Sequence, residues 1–584
     1  MNVDPVTLSV IETYLDAVAE EMGDITMHTA RSNLIKEGGD FSTALYDGRG
    51  RLIAHGRDMP AHQGLFPVLV EQATGRLDRS PSPGDLFLTN AEDVAGSHLN
   101  DVKLLRPIFW ESRLVAWAAN LAHWPDVGGM VPGSYYGQAT EIFQEGLQIP
   151  LIQVAEEDGL REDVMRLILK NVRGGRERLG DVLAQQAAVQ FAERRLDELF
   201  ERYGIATFEA ACEALIAYSE RRMRSAIESI PDGRYEFEDF MDNDGVTDRP
   251  VRIHVAVEVT GERITVDLSG SDDETAGPVN SPITQTRSAV YYAVRGITDH
   301  TIPSNAGLFG PIRVVTRPGS VVDCRPGVPR VFCTHETATR IVDTCLGALA
   351  QALPDRTPAA GCGSSFIAIA GGRDPRAEGA YYAWYEPVPG GYGARPTVDG
   401  IDGTRIHMGN TANTPIEIFE RDYPLRCERY ELRPDSGGPG RWRGGLGSTK
   451  TVRALDLPGN APVCTSVSER NVTEPYGLAG GRAGTRGEFV LDDATPEEAP
   501  MPGRCPGKSS HVLAPGQTWS IRAAGGGGWG DPRERPVELV VADVRAGKVS
   551  VEAAAREYGV VLSPVTLEVD GEGTRARRSP VSTS

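Results

Sequence analysis

The spacing of apolar positions changes several times along the chain. Near the N-terminus Ile11, Leu15, Val18 and Met22 recur at helical spacing. They follow Asp4-Pro5, an N-cap residue and a proline suited to the first helical position, so a core-facing helix is expected. Alternation then reads as strands at 41–46 and 51–55, around the turn Asp47-Gly48-Arg49-Gly50, and again at 85–90. The runs 102–109 and 114–121 are rich in β-branched, aromatic and leucine residues, and the short polar link 110–113 makes an antiparallel hairpin the economical reading. From 161 to 230 the pattern is helical throughout, enough for three or more helices. Strand-like alternation returns at 234–240, 251–260 and 263–269. A helix over 336–353, with Ile341, Val342, Cys345, Leu346 and Leu349 as its stripe, ends at Pro354.

Beyond Gly361 the chain turns glycine-rich, with clusters at 389–396, 435–450 and 523–532 between short strands. Two short helices are expected at 536–547 and 551–558, and the last dozen residues read as a disordered tail. The whole predicts an α+β, multi-domain mixed α/β chain. Its expected parts are an N-terminal metal-site domain (1–160), a helical segment (161–231), a mixed α/β domain with antiparallel sheets (232–360), a Gly-rich β domain (361–535), and C-terminal helices and tail (536–584).

Composition narrows the function. A net charge of −21 argues against nucleic-acid or anionic-membrane partners. Eight cysteines form no CxxC pair, so no zinc ribbon or thioredoxin-like site is expected, and their sparse distribution suits a reducing cytosol. No basic n-region leads an apolar core, and no run of about 18 apolar residues offers a membrane span. The glycine clusters match neither a phosphate-binding loop nor GxGxxG, so turns and close backbone packing are their better reading.

Candidate chemistry sits on the 102–121 hairpin. His98 and Asp101 precede its first run; His123 and Asp126 follow its second. If the loop is 111–113, Asp101 faces His123 and His98 faces Asp126, close enough to share one divalent cation. A two-residue loop would put Asp101 and His123 on opposite faces, because one residue of slip exchanges the faces of a strand. The plainer alternative is a hydrogen-bonded polar turn at each end. Asp40, after two glycines, is a turn-former or a ligand brought near by folding; His55 and His62 read as structural. The segment GGMVPGSYYG reads as a loop over a site, and Glu141 and Glu145, four apart, would share a helical face.

These stretches together resemble a known family. RSNLIKEGGDFSTALYD, GDLFLTN, GSHLNDV, ANLAHWPDVGG, ATEIFQEGLQIP, IPSNAG, ELRPDSGGPGRWRGG and GGGGWGDP occur in an order similar to that of hydantoinase B-type subunits. That family includes N-methylhydantoinase and caprolactamase subunits, the corresponding half of 5-oxoprolinases, and acetone and acetophenone carboxylase subunits. The resemblance implies a divalent metal (Mn, Zn or Fe) on His98, Asp101 and His123, with Asp40 as a further ligand. It implies Asp126 as a ligand or as a residue holding one, and Asp126 or Glu145 as the carboxylate that takes a proton. It also implies that ATP and Mg are bound by a hydantoinase A-type partner, and that this chain forms a homodimer within a cytoplasmic hetero-oligomer. The expected activity is ATP-dependent hydrolysis of a cyclic amide, with ketone carboxylation and a non-catalytic scaffold as alternatives. AEDVA before Gly96, and Asn100 where a proline is common, depart from the family pattern and bear on substrate identity.

Overall fold

The computed structural model describes residues 3–57, 59–157, 159–492, 504–505 and 507–578. The first helix, Pro5–Thr29, starts as expected: the Asp4 carboxylate accepts from the Val6 and Thr7 amides. Its buried stripe, Ile11, Leu15, Val18 and Met22, packs on a seven-stranded antiparallel sheet. The strands are β1 (Phe41–Asp47), β2 (Leu52–His55), β3 (Leu86–Thr89), β4 (Asp101–Trp110), β5 (Arg113–His123), β6 (Ile152–Glu156) and β7 (Gly159–Leu160), in the order β2-β1-β5-β4-β3-β6-β7. The three helices Glu162–Asn171, Gly175–Tyr203 and Ile205–Glu228 fill the expected helical region. Val182, Val189 and Leu196 of the second share one apolar core with Leu104 and Ala118 of the sheet.

The β4–β5 hairpin resolves the question of register. Its loop has two residues, Glu111 and Ser112, both with positive φ (48° and 69°), and Trp110 pairs with Arg113. That turn alone would put Asp101 opposite Ala122. A bulge between Ile108 and Phe109, where Ile108 pairs with Ala116 but Phe109 with Leu114, restores the shift, so Asp101 faces His123.

A second core lies around β8 (Gly233–Met241), β9 (Val251–Thr260), β10 (Arg263–Asp267) and β11 (Ile312–Val315), where β11 runs parallel to β10 and the other pairs are antiparallel. The helices Ile283–Ile297 and Ala338–Ala352 contribute to this core, and a π-helical turn, Cys333–Thr337, leads into the latter. The C-terminal part contains two antiparallel sheets of four and five strands. The tail expectation is corrected in part: 571–578 form a helix, and 579–584 lie outside the described residues.

Glycine clusters join these sheets by backbone contact. Four successive amides donate to three different segments: Gly525 to Thr485 O, Gly526 to Gly445 O, Gly527 to Ala360 O and Gly528 to Arg482 O. Gly525 and Gly528 thus reach the same neighbouring segment, a repeat of three that a pleated strand does not have. A Cβ on Gly527 would lie 2.0 Å from Tyr476 O, and one on Gly526 2.2 Å from Tyr392 O. Side chains are excluded here by backbone on every flank.

Buried charge links the second core to the C-terminal part. Asp239 on β8 accepts from Arg340 (3.1 Å) and Arg470 (2.7 Å); Arg470 also reaches Asp343 (3.1 Å), which pairs with His407 Nε2 (2.9 Å). Lys508 pairs with Glu469, whose other oxygen accepts from the Asp242 amide at 2.6 Å. Glu336 lies beside this cluster with both carboxylate oxygens unpartnered. Burial, then the Glu469 charge, pushes its carboxyl up to about 8.

Two outcomes follow. Gly527→Ala should destabilise the protein by about 1–3 kcal/mol or more, since the methyl meets backbone that cannot rotate away; a denaturant titration reads this as a lowered midpoint. Glu336 holds its proton in the folded chain to about pH 8, whereas the unfolded chain releases it near the ordinary carboxyl value of about 4.3. Its contribution is therefore complete below the unfolded value and is lost as pH rises through that window, on the order of 1 kcal/mol per pH unit. Glu336→Gln should gain stability over wild type progressively from pH 5 to pH 8, about as the linkage predicts; parallel midpoints across that range would contradict it.

Candidate metal centre

Three adjacent strands bring the site together. β1 pairs with β5 through Phe41 and Ala122, and one residue further on the His123 amide donates to Asp40 O (3.0 Å). β5 pairs with β4 through His123 and Asp101. Asp40, His123 and Asp101 therefore stand side by side at one end of the sheet. His98 joins from the turn before β4, where the Asp101 amide donates to His98 O (3.2 Å). Asn100, one of the departures from the family pattern, clamps the two sides: its Nδ2 donates to Trp124 O (2.7 Å), and the Trp124 amide donates to Asn100 O (2.8 Å).

His98, Asp101 and His123 form a buried group whose ligand atoms lie within 4.8 Å of one another. His98 Nε2 is 2.9 Å and His123 Nδ1 3.4 Å from Asp101 Oδ1. His98 Nε2, His123 Nε2 and Asp101 Oδ1 are buried without a hydrogen-bond partner among the described residues. Leaving such atoms unpaired costs free energy, and two imidazoles with a carboxylate are a donor set for a divalent ion such as Zn, Mn or Fe(II). The donors thus fit a cation.

The other atoms of these side chains are held. His98 Nδ1 lies 3.3 Å from both Val331 O and Tyr135 Oη; with Nδ1 donating to the carbonyl, Nε2, beside Asp101, is the nitrogen a cation would take. Ser97 Oγ donates to Asp101 Oδ2 (2.6 Å), and His62 Nε2 lies 3.7 Å from the same oxygen. Burial alone would raise the Asp101 carboxyl, but His98, His62 and His123 together hold it well below the ordinary range. Burial disfavours a charged His98, and Asp101 outweighs that, so the imidazole is raised.

The triad lies in a narrow cavity with room for little more than an ion or a water molecule. Asp40, His62, His335, Arg405 and His407 also line it. His335 comes from the π-helical turn, a distortion that often marks functional sites. Its Nε2 meets Tyr135 Oη at 2.7 Å and Tyr385 Oη at 3.1 Å. Burial, then the charges of His98 and Arg405, holds this imidazole neutral, well below the usual histidine value.

Sequence reasoning named Asp40, His98, Asp101 and His123, and the fold brings all four to one cavity. Asp126 and Glu145 lie outside its lining. The expected pairing of His98 with Asp126 does not form, because the ladder ends at Asp101–His123. Asp126 instead turns into its own loop, accepting from the amides of Gly128 (2.8 Å), Gly133 (2.8 Å) and Arg173 (3.2 Å) and from the Arg173 guanidinium (3.0 Å). Glu141 and Glu145 do not share a face: Glu141 is exposed and Glu145 buried. Glu145 Oε1 accepts from the Arg330 and Val331 amides (2.6 and 2.8 Å), and burial pushes its carboxyl up to about 7 against those bonds. Glu145 thus orients the peptide whose carbonyl meets His98. His335, Tyr135, Tyr385 and Arg405 escaped the sequence reading, because each is isolated in sequence and meets the hairpin only through the fold.

Residues 4–532 match the family model described as hydantoinase B/oxoprolinase. The chain is 33% identical to a putative D-/L-hydantoinase B-type subunit from a Pseudomonas species, over 99% of this chain and 98% of that one. It is 32% identical to the beta chain of the Pseudomonas jessenii caprolactamase, over 99% of each. The crystal structure of ATP-dependent caprolactamase from that organism superposes with a TM-score of 0.90 at 30% identity, covering 99% of this chain and 100% of that one. An acetone carboxylase structure shares the fold at 18% identity, also with a TM-score of 0.90, over 98% of this chain and 82% of that one. No helix among the described residues is long and apolar enough to cross a membrane.

Asp126→Asn should weaken the 126–146 loop, costing about 1–3 kcal/mol, while leaving bound metal unchanged. Denaturant midpoints and elemental analysis of the same preparation check both halves.

Proposed function

The chain belongs to the hydantoinase B/oxoprolinase family, and we propose that it is the metal-binding subunit of an ATP-dependent cyclic amide hydrolase. In this reading a hydantoinase A-type partner binds ATP and Mg and phosphorylates the amide oxygen. The activated species then passes to this chain for hydrolysis, within a hetero-oligomer containing a homodimer of this chain. The observation that carries the reading is the buried triad with three unpartnered ligand atoms, in a chain alignable over nearly its full length with a caprolactamase subunit.

His98, Asp101 and His123 would hold the ion, and Asp40 stands at its edge. A divalent ion there would supply Lewis-acid polarisation of an oxygen, lowering the barrier to attack on the activated amide carbon. The protein's own residues set the conditions. With Nδ1 donating to Val331 O, His98 offers Nε2 to the ion, and Glu145 fixes Val331. Glu145 is therefore a positioning residue in this reading, and Asp126 a clamp on the adjoining loop. His335, kept neutral between two phenols, offers the cavity a polar wall without adding positive charge beside the ion.

Co-expression with the A-type partner, followed by a cyclic-amide panel with ATP, tests this. We expect about one metal ion per chain from the single ligand cluster, ATP-dependent hydrolysis without bicarbonate, and no turnover by this chain alone. His98→Ala with Asp101→Ala should lower activity about 100-fold or more and release the metal. Full activity of that variant would leave a scaffold role, and product formation only with bicarbonate would move the reaction to ketone carboxylation.

A further inference from the structure

The cavity carries a second feature that metal binding does not use. Arg405 lines it, yet none of the described residues offers this guanidinium a hydrogen bond or an ion pair, and its Nε is buried without a partner. The buried arginines Arg178, Arg340, Arg443 and Arg535 are each paired with a carboxylate, of Asp181, Asp239, Asp402 and Asp399 respectively. A guanidinium nitrogen buried without an acceptor carries a desolvation cost. It is also the side chain best shaped to grip two oxygens of a phosphoryl or carboxylate group at once.

Its placement favours a ligand over a packing role. Among the described residues that line the cavity, Arg405 and Gly409 alone are not buried, so they mark its mouth, while the triad is fully buried within it. The Arg405 side chain lies across Gly409: a Cβ there would be 2.9 Å from both Cγ and Nε and 3.0 Å from Cζ. The glycine leaves room for the arginine to lie flat. The segment is fixed to the sheet end by backbone, with the Ala61 amide donating to Met408 O (2.9 Å) and the Ala412 amide to Gly38 O (2.8 Å). The hydroxyl residues Thr334 and Ser365 line the same cavity.

We propose that Arg405 is the anion-recognition residue of this site, gripping the phosphoryl group of the incoming substrate at the cavity mouth while the reacting carbon faces the triad. The proposal rests on the reading in which a phosphorylated intermediate is delivered here, and it adds the residue that recognises it. Arg405 forms no bond in the reaction; it binds and orients while water adds to the carbon and the C–N bond breaks with a proton going to the nitrogen, and a second water then displaces phosphate, which leaves with the former amide oxygen.

Inorganic phosphate is the probe, titrated into the metal-loaded full chain by calorimetry, with acetate as the competing carboxylate. Arg405→Gln should weaken phosphate about tenfold or more, the loss of one charged bidentate contact, with metal content and melting temperature unchanged. Arg405→Lys should recover part of the affinity, and free guanidinium should restore binding to Arg405→Ala. Gly409→Ala, which keeps the charge but displaces it, should weaken phosphate as well, and serves if the arginine variants fold poorly. Equal phosphate affinity in Arg405→Gln and wild type would overturn the proposal, as would acetate displacing phosphate at equal concentration. In the reconstituted complex Arg405→Gln should depress ATP-coupled hydrolysis, and normal turnover would sink the proposal while leaving the functional reading intact. Arg405-dependent phosphate binding in a complex that turns over no cyclic amide would do the reverse.

Discussion

One inserted residue decides whether this sheet can hold a metal. The Glu111-Ser112 turn has the positive φ values that suit the twist of a two-residue hairpin loop. Taken alone, that turn sends His123 and Asp101 to opposite faces. The bulge at Ile108/Phe109 absorbs one residue of β5 and turns the rest of that strand over. All pairing from Ile108–Ala116 to Asp101–His123 inherits that correction. Filling the bulge, or deleting the residue it accommodates, would move the imidazole to the other face of the sheet, whatever the residues at the site itself.

The remaining parts of the cavity come from far along the chain and must be held against the sheet end. Apolar packing does this for the π-helical turn, where Phe332 and Val331 are fully buried. For 405–412 the work falls to backbone hydrogen bonds to Ala61 and Gly38. Behind that segment His407 joins the buried chain Asp343–Arg470–Asp239–Arg340. Such buried ion pairs add little net stability, because desolvation offsets their attraction. Their value is that they tolerate few alternative arrangements, and here they tie the cavity wall to β8 and to the helix Ala338–Ala352.

The hairpin, the histidines and aspartate that flank it, and the first helix were legible because each rests on local pattern: alternation, an N-cap and a short polar link. Asp40 was legible only as an open alternative, since its approach depends on β1 pairing with β5. The bulge was not, because no residue type marks it and the turn and the register can each be satisfied separately. Asp126 misled for a physical reason: spacing puts it opposite His98, but Gly128 and Gly133 present amides that fold the carboxylate back into its own loop. The glycine clusters announced close packing, yet their threefold alternation of partners depends on three other segments arriving together. His335 and Arg405 carried no signal, being single residues whose chemistry comes from their neighbours in space.

Electrostatics gives the arrangement its sense. A chain with a net charge of −21 repels an anionic intermediate at long range. A phosphorylated amide is such an anion, so its capture requires positive charge concentrated where it docks. Asp101 and Asp40 add negative charge at the cavity floor, which suits a divalent cation and disfavours a bare anion. His335, which also lines the cavity, is kept neutral. The positive charge that would face an arriving anion is then the Arg405 guanidinium at the mouth, together with any divalent ion held by the triad. Under the proposed reading, a phosphoryl group held by Arg405 at the mouth also stands on the side from which phosphate can leave.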